Sequence, residues 1–285
     1  MKPTRTRDRN VDQGGTRKAP RATMSDRPKN KLTFRKPRTR AIKSLNSLYI
    51  LTQLAQDGLW RMQEEIARED AGRIEFIVPT VTDEDALVLK RKSKILQLLQ
   101  ESLDTGLYRG ALITTVAHVE AFLESYLRIM ITSFPQRLKI GMRGGEGEPH
   151  ISLDDVLNAS DLSCLMQELV ERRIRAAMYE RPIRYLEYVE RILEIHIPND
   201  LKWQYSEVKA SRDVVVHSAG VANSLYVEKA GELARAQPGE TLLLDEDYFR
   251  EAILRMKRLI VKTYSRALKK YGDVQLLHGR GRRPR

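Results

Sequence analysis

Cysteine is almost missing from the sequence, since Cys164 is the one cysteine among 285 residues. A lone cysteine excludes an internal disulfide framework and a zinc site built from cysteines, and it suits a reducing compartment. Long apolar runs are missing too, because no stretch approaches the roughly 20 residues that cross a bilayer. The first residues, MKPTRTRDRNVDQGG, lack the apolar centre of a secretory signal. We therefore expect a cytoplasmic protein that does not contact a membrane.

Several well-known site motifs are also missing. The chain has no G-K-[ST] phosphate loop and no serine nucleophile elbow. Its five histidines show no spacing typical of metal ligands, so we expect neither a metal ion nor a cofactor. What the chain does have is an apolar fraction of 41%, which is enough for one large domain or two small ones around a core.

The positive charge is concentrated at the N-terminus. The net charge is +12, and residues 1–43 hold fifteen Lys/Arg against three Asp, so the rest of the chain is balanced. Because residues 1–43 contain few apolar side chains, we expect them to be a disordered basic tail. Residues 277–285 form a second, shorter basic tail.

Basic arms attract polyanions through the release of counterions, without reading sequence. The expected nucleic-acid contacts are four cations at the end of the first tail: Arg35, Lys36, Arg38 and Arg40. Two other interpretations stay open. The tail either keeps the protein in solution, or it is upstream sequence that is translated only if Met24 is not the true start.

Apolar periodicity predicts an all-α protein. Leucines at helical spacing begin just after Ser44, and apolar residues at steps of three and four recur through residues 83–104, 107–133 and 245–271. We expect the helices at 83–104 and 107–133 to pair as an antiparallel hairpin. The sequence shows no internal repeat.

Two segments favour extended structure. Residues 73–82 are β-branched and contain a proline, which predicts a connector or an edge strand. Residues 224–244 predict a small β-hairpin around a Gln-Pro-Gly turn. The expected architecture is a helical bundle with a β-hairpin appendage, in a domain that spans residues 44–276 with its core at 83–271.

One short stretch, SRDVVVHSAG (211–220), carries the candidate chemistry. Three consecutive valines are mediocre helix formers, so the helix that holds them must be stabilised by burial. Asp213 and His217 share a face and can contact each other, whereas Arg212 lies about 140° around the axis from His217. Gly220 suits the left-handed position after a helix, which places His217 in the last turn. The plain alternative is a capping and ion-pair arrangement.

This stretch resembles the signature of the HEPN superfamily, the helical ribonucleases of toxin, anti-phage and RNA-processing systems. The resemblance rests on Arg212-x4-His217, on the polar Asp213 directly after the arginine, and on the small residues 218–220 after the histidine. Residues 117–127, AHVEAFLESYL, are similar to the first long helix of that family.

The resemblance covers about residues 83–271 and is greatest to the branch labelled RiboL-PSP-HEPN. It implies an HEPN-like helical bundle and a homodimer in which the Arg/His pairs of two protomers face one another across a cleft. It also implies a toxin–antitoxin or anti-phage defence setting, in which an antitoxin or another defence protein would be a partner.

The predicted activity is metal-independent endoribonuclease cleavage of RNA. The 2′-OH of RNA is a built-in nucleophile, so the protein need only move protons and stabilise charge. His217 would act as general base or acid, and Arg212 would hold the phosphate. Asp213 would set the tautomer of His217, while Glu120 and Ser218 would support the site. The products would be a 2′,3′-cyclic phosphate and a 5′-OH.

Two other functions fit the same residues. In the first, the chain is a non-catalytic HEPN-like module that binds nucleic acid or a partner protein, and Arg212 and His217 form a structural pair at the dimer seam. In the second, the helical body is a scaffold and the basic arms coat RNA or DNA. Substitution of His217 separates the first alternative from catalysis, since only catalysis predicts a loss of activity.

Overall fold

The computed structural model describes residues 33–81, 85–141 and 151–272, and in these ranges the chain is mostly helical. Strands β1 (Arg73–Pro79) and β2 (Asp85–Arg91) form an antiparallel hairpin. The helices are α1 (Arg35–Arg68), α2 (Lys92–Glu101), α3 (Leu107–Ser133), α4 (Leu153–Asn158), α5 (Leu162–Met178), α6 (Pro182–Leu193), α7 (Asn199–His217), α8 (Ser224–Ala230) and α9 (Glu246–Tyr271). Within the described ranges, none of them is both long and apolar enough to cross a membrane.

Helix α3 lies at the centre of the bundle, and α1, α5, α6, α7 and α9 pack against it. A helix with this many neighbours needs apolar side chains on several sides. Those that it buries are Tyr108, Ala111, Leu112, Val116, Val119, Phe122, Leu123, Tyr126, Leu127, Met130 and Ile131. The predicted helices at 107–133 and 245–271 are confirmed as α3 and α9. The side chain of Asp245 caps α9 by accepting from the Tyr248 amide at 2.9 Å.

Helix α1 begins well before the predicted start of the domain. Phe34 is buried, its carbonyl accepts a 3.0 Å hydrogen bond from the Tyr126 hydroxyl, and its ring centre lies 5.0 Å from that of Tyr126. Ala41 and Leu45 continue the buried stripe at helical spacing. The tail was predicted to be disordered as far as residue 43, and this is wrong for residues 35–43, which belong to α1. The prediction that the core starts at residue 83 is also wrong, because these earlier side chains are buried. Residues 1–32 and 277–285 lie outside the described residues.

The predicted antiparallel pairing of 83–104 with 107–133 is wrong. The backbone stays right-handed and helical through the π-helical turn Ser102–Gly106, so α2 runs on into α3. Helix α1 lies beside both instead, and its buried Ile66 packs with Ile95 and Leu99 of α2 in a small second cluster.

The β-hairpin lies at 73–91 instead of the predicted 224–244. The strand predicted within 73–82 is confirmed as β1, but its partner β2 occupies residues that were predicted to be helical. Residues 224–230 form α8, because the Asn223 side chain accepts from the Tyr226 amide at 2.9 Å and so caps a helix. Thr241 forms an isolated antiparallel bridge with Val221, which lies before the predicted hairpin.

Helix α7 carries a fully buried carboxylate, Glu207. Its oxygens accept from Arg235 Nε at 2.9 Å, from Arg255 Nη1 at 3.0 Å, from Ser211 Oγ at 2.9 Å and from the Tyr248 hydroxyl at 3.2 Å. Burial raises the pKa of Tyr248, and the charge of Glu207 raises it further. This group of five side chains, here called the Glu207 cluster, ties α7 to α9 and to the chain after α8.

Candidate functional site

A cleft of about 480 Å³ opens where α3, α7 and α8 meet the turn between α5 and α6. Its lining mixes cations, carboxylates and a small apolar surface. The lining residues are Glu120, Arg175, Met178, Tyr179, Glu180, Pro182, Lys209, Arg212, Asp213, His217 and Lys229. The structure thus brings Arg212, Asp213, His217 and Glu120, four of the residues singled out by the sequence, to one surface.

Arg212 is held loosely at the bottom of the cleft. Its Nη2 lies 3.4 Å from both carboxylate oxygens of Glu120, and its Nη1 lies 3.4 Å from Asp213 Oδ1. Charge-assisted hydrogen bonds are usually 2.7–2.9 Å long, so these contacts are weak. Its Nε is buried and finds no acceptor among the described residues. Because Nε is buried, the donors that a ligand in the cleft could engage are the two terminal nitrogens, whose present contacts are long.

The two carboxylates have lysine partners. Lys209 Nζ donates to Glu120, and Lys229 Nζ lies 3.0 Å from Asp213 Oδ2. Asp213 was predicted to orient the imidazole of His217. In the structure it pairs instead with Lys229 and Arg212, two cations that lie within 3.4 Å of its oxygens.

His217 ends α7 and is exposed, with no hydrogen bond or ion pair to the described residues. The backbone turns sharply behind it, where the Ser218 and Gly220 amides donate to the Val214 carbonyl at 2.9 and 3.1 Å. Gly220 has the expected positive φ, 88°, and the φ of Ala219 is also positive, at 51°. A Cβ on Gly220 would lie 2.9 Å from Nη2 at the flexible end of Arg109, so the positive φ, more than this contact, favours glycine here.

The three valines before His217 have different environments. Val214 is in the core, Val215 is half-buried and Val216 is 46% exposed. Burial therefore stabilises one valine fully. The exposed Val216 directly precedes His217 on α7 and is not among the residues that line the cleft.

Two buried tyrosines lie behind the cleft. The Tyr185 ring centre is 5.8 Å from Lys209 Nζ and 6.5 Å from the ring centre of Tyr205. Burial raises the pKa of both phenols, and the charge of Glu120 adds to the effect. They stay neutral near physiological pH and serve as packing groups.

The remaining predicted residues do not line the cleft. Ser218 Oγ accepts from Asn223 Nδ2 at 3.2 Å, which fixes the turn after α7. The four predicted nucleic-acid contacts lie on α1: Arg35, Lys36, Arg38 and Arg40. Of these, Arg38 packs 5.5 Å from the ring centre of Tyr264. Within the described ranges, no group of three or more His, Cys, Asp or Glu side chains is placed to hold a metal ion.

Seven lining residues were not predicted from the sequence, among them Arg175, Tyr179, Lys209 and Lys229. Lys209 stands three residues before Arg212, and this helical spacing was a usable signal. The others come from α5, from the turn after it and from α8, so only the fold brings them to the cleft. No protein-family model matches the sequence, and neither does any curated protein or solved structure.

Proposed function

We propose that the chain is a metal-independent endoribonuclease of the HEPN type that acts as a homodimer. The observation that carries the proposal is that Arg212 and His217, both from α7, line one open cleft. The terminal nitrogens of Arg212 make only long contacts of 3.4 Å, and His217 has no competing partner among the described residues. A site for proton transfer beside a phosphate needs both properties.

The charge of the cleft suits a polyanion. Four cations line it, namely Arg175, Lys209, Arg212 and Lys229, against the carboxylates Glu120, Asp213 and Glu180. Glu120 and Asp213 pair with Lys209, Arg212 and Lys229, and the lining as a whole keeps an excess of one positive charge. A phosphodiester entering the cleft would compete with Glu120 and Asp213 for the terminal N–H groups of Arg212, whose fixed fork matches phosphate oxygens.

The proposed reaction is a transesterification. His217 removes the proton of the 2′-OH, the 2′-oxygen bonds to phosphorus, and the bond from phosphorus to the 5′-oxygen breaks. The departing 5′-oxygen takes a proton from the protonated imidazole of a His217 side chain. The products are a 2′,3′-cyclic phosphate and a 5′-OH. Arg212 stabilises the extra negative charge of the pentacoordinate transition state.

The proposed two-fold interface lies beside the cleft. Val216 of α7 and Ile113 of α3 are both exposed large apolar residues. They fall between the two points where these helices touch, Glu120 with Arg212 and Gly220 with Arg109. A second copy that covers this stripe would bury its apolar surface and set two clefts side by side, so that imidazole and guanidinium act in trans.

One observation favours the non-catalytic alternative. Arg212 is paired with Glu120 and Asp213, and Lys209 and Lys229 complete a closed set of ion pairs that could serve structure alone. In that case the cleft would bind nucleic acid or a protein without cutting. The defence or toxin–antitoxin setting stays a prediction from the sequence.

The direct test is incubation of the purified protein with total RNA in EDTA. We expect cleavage, with fragments that end in a 2′,3′-cyclic phosphate and begin with a 5′-OH, and we expect DNA of the same sequence to resist because it lacks the nucleophile. Intact RNA after prolonged incubation, or cleavage that needs added Mg²⁺, would contradict the proposal.

A second prediction concerns the basic segment before α1. Residues 1–32 hold ten Lys/Arg against three Asp, and because Phe34 is buried a deletion must stop at residue 32. We expect this deletion to weaken RNA binding, and to flatten the plot of log K against log salt by about 0.7 for each phosphate that the segment had neutralised. Titrations at several salt concentrations measure the slope.

The matched control for this deletion keeps residues 1–32 and replaces Arg35, Lys36 and Arg40 with glutamine. It reports the share of binding that belongs to α1. A slope that the deletion leaves unchanged would show that the segment binds no phosphates.

A further inference from the structure

Tyr179 differs from every other tyrosine of the chain. Its side chain is 92% exposed and contacts no ring, donor or acceptor among the described residues. The other tyrosines are buried or half-buried, and they are Tyr49, Tyr108, Tyr126, Tyr185, Tyr188, Tyr205, Tyr226, Tyr248, Tyr264 and Tyr271. Among the tyrosines, Tyr179 alone is exposed to water, and it lies at the edge of the cleft.

The backbone that carries Tyr179 is well fixed. Tyr179 follows the last residue of α5 with helical φ and ψ of −80° and −9°. The Glu180 amide donates to the Ala177 carbonyl at 3.2 Å, and the Tyr185 amide donates to the Arg181 carbonyl at 2.9 Å. Arg181 also forms a salt bridge with Glu228 of α8. The ring therefore projects from a held turn, so stacking on it costs little ordering of the backbone.

The lining of the cleft is divided by chemistry. The turn between α5 and α6 contributes an apolar surface of Met178, Tyr179 and Pro182, whereas α7 and α8 contribute cations and His217. Arg175 stands one helical turn before Tyr179, on the same side of α5, and makes no salt bridge or hydrogen bond within the described residues. An unpaired nucleotide is complementary to both parts of this lining, since it has a flat base that can lie against the apolar surface and a negatively charged phosphate that can meet the cations.

We propose that Tyr179 is a stacking platform for an unpaired nucleobase, and that Arg175 receives a phosphate next to that base. This inference rests on the proposed function and narrows its substrate to single-stranded RNA. The bases of a duplex are stacked on one another and cannot reach the ring, whereas splayed bases stack readily on aromatic side chains. Stacking is tolerant of base identity, so the platform selects strandedness and not sequence.

The test measures binding separately from cleavage. A fluorescently labelled 12-nucleotide 2′-O-methyl RNA has no free 2′-OH, so the protein cannot cut it and anisotropy reports affinity alone. We expect Tyr179→Ala to weaken binding about 10-fold and Tyr179→Phe to change it less than about two-fold, because both rings have a face on which a base stacks. When the same oligonucleotide is paired in a duplex, Tyr179→Ala should change its binding affinity very little.

Trp60→Ala is the matched control, since Trp60 is a half-exposed aromatic residue on α1 that does not line the cleft. It should leave the affinity unchanged. As a second readout, Tyr179→Trp should gain tryptophan quenching on addition of the oligonucleotide, beyond that of the parent protein. Because the Tyr179 side chain is exposed and makes no hydrogen bond, ion pair or ring contact among the described residues, thermal unfolding should be the same for all Tyr179 variants.

Equal affinity of Tyr179→Ala and the parent overturns the stacking inference, as does an equal loss in Trp60→Ala. Neither result bears on cleavage, which is measured on ordinary RNA. Conversely, a protein that binds through Tyr179 but never cuts RNA supports the platform and removes the ribonuclease, so the two proposals fail separately.

Discussion

Replacing His217 with alanine is expected to slow RNA cleavage by about 10²- to 10⁴-fold, the range typical of a general acid or base. The ring is exposed at the end of α7 and has no partner within the described residues, so the substitution removes a proton-transfer group and little else. We expect the free energy of unfolding to change by less than about 0.5 kcal/mol. Initial rates on labelled RNA in EDTA and urea unfolding measure the two effects.

His196→Ala is the control for this experiment. His196 is also exposed, and its Nδ1 lies 3.2 Å from Glu190 Oε1, outside the cleft. Its loss should leave cleavage intact. Equal rates for His217→Ala and the parent, or equal losses in both histidine variants, would show that His217 has no catalytic role.

Arg212→Lys separates the catalytic proposal from its non-catalytic rival. Lysine keeps the positive charge but not the planar fork, so it holds a phosphate less well. If Arg212 stabilises the transition state, the rate should fall about 10²-fold while stability stays close to that of the parent. If Arg212 is only a structural partner of Glu120 and Asp213, the change should appear in stability or dimerisation instead.

Replacing Glu207 with glutamine is expected to lower the free energy of unfolding by about 3–5 kcal/mol, which is the cost of removing one partner from a buried ion pair. Glu207 is fully buried, and the neutral amide would leave the guanidinium groups of Arg235 and Arg255 without their counter-charge. The amide N–H₂ group would also place a donor where the carboxylate only accepts, facing the Arg235 guanidinium, which is itself a donor. Urea unfolding at neutral pH measures the loss.

Glu251→Gln is the matched control, because Glu251 also pairs with Arg255, at 3.2 Å, but its side chain is 41% exposed. Exposed ion pairs contribute about 0–1 kcal/mol, so this variant should be nearly as stable as the parent. A loss in Glu207→Gln no larger than that in Glu251→Gln would show that the Glu207 cluster is not a stabilising feature.

The sequence predicted the long periodic helices well and the ends of the fold poorly. Helices α3 and α9 repeat apolar residues over many turns, and periodicity of that length is a clear signal. The start of α1 was missed because it has few apolar residues among many cations. The burial of Phe34 depends on Tyr126 and Tyr271, which are distant in sequence. The Asn223 cap was a local signal that favoured a helix in residues 224–230.

The candidate site could be predicted in part for the same physical reason. Arg212, Asp213 and His217 belong to one helix, so their nearness follows from spacing, and Glu120 joins them through the packing of α3 on α7. The partner of Asp213 could not be foreseen. Lys229 comes from α8, a segment predicted to be a strand, and it competes for the carboxylate that was assigned to the imidazole.

The Glu207 cluster has a consequence for the far end of α7. Glu207 and His217 are ten residues apart on one helix, which amounts to about 15 Å of stiff rod. A shift of α7 along its axis by a single residue would break the salt bridges of Glu207 with Arg235 and Arg255. The position of the imidazole thus depends on the Glu207 cluster two to three turns away. A substitution in that cluster would make the position of His217 less well defined, although it would change no residue of the cleft.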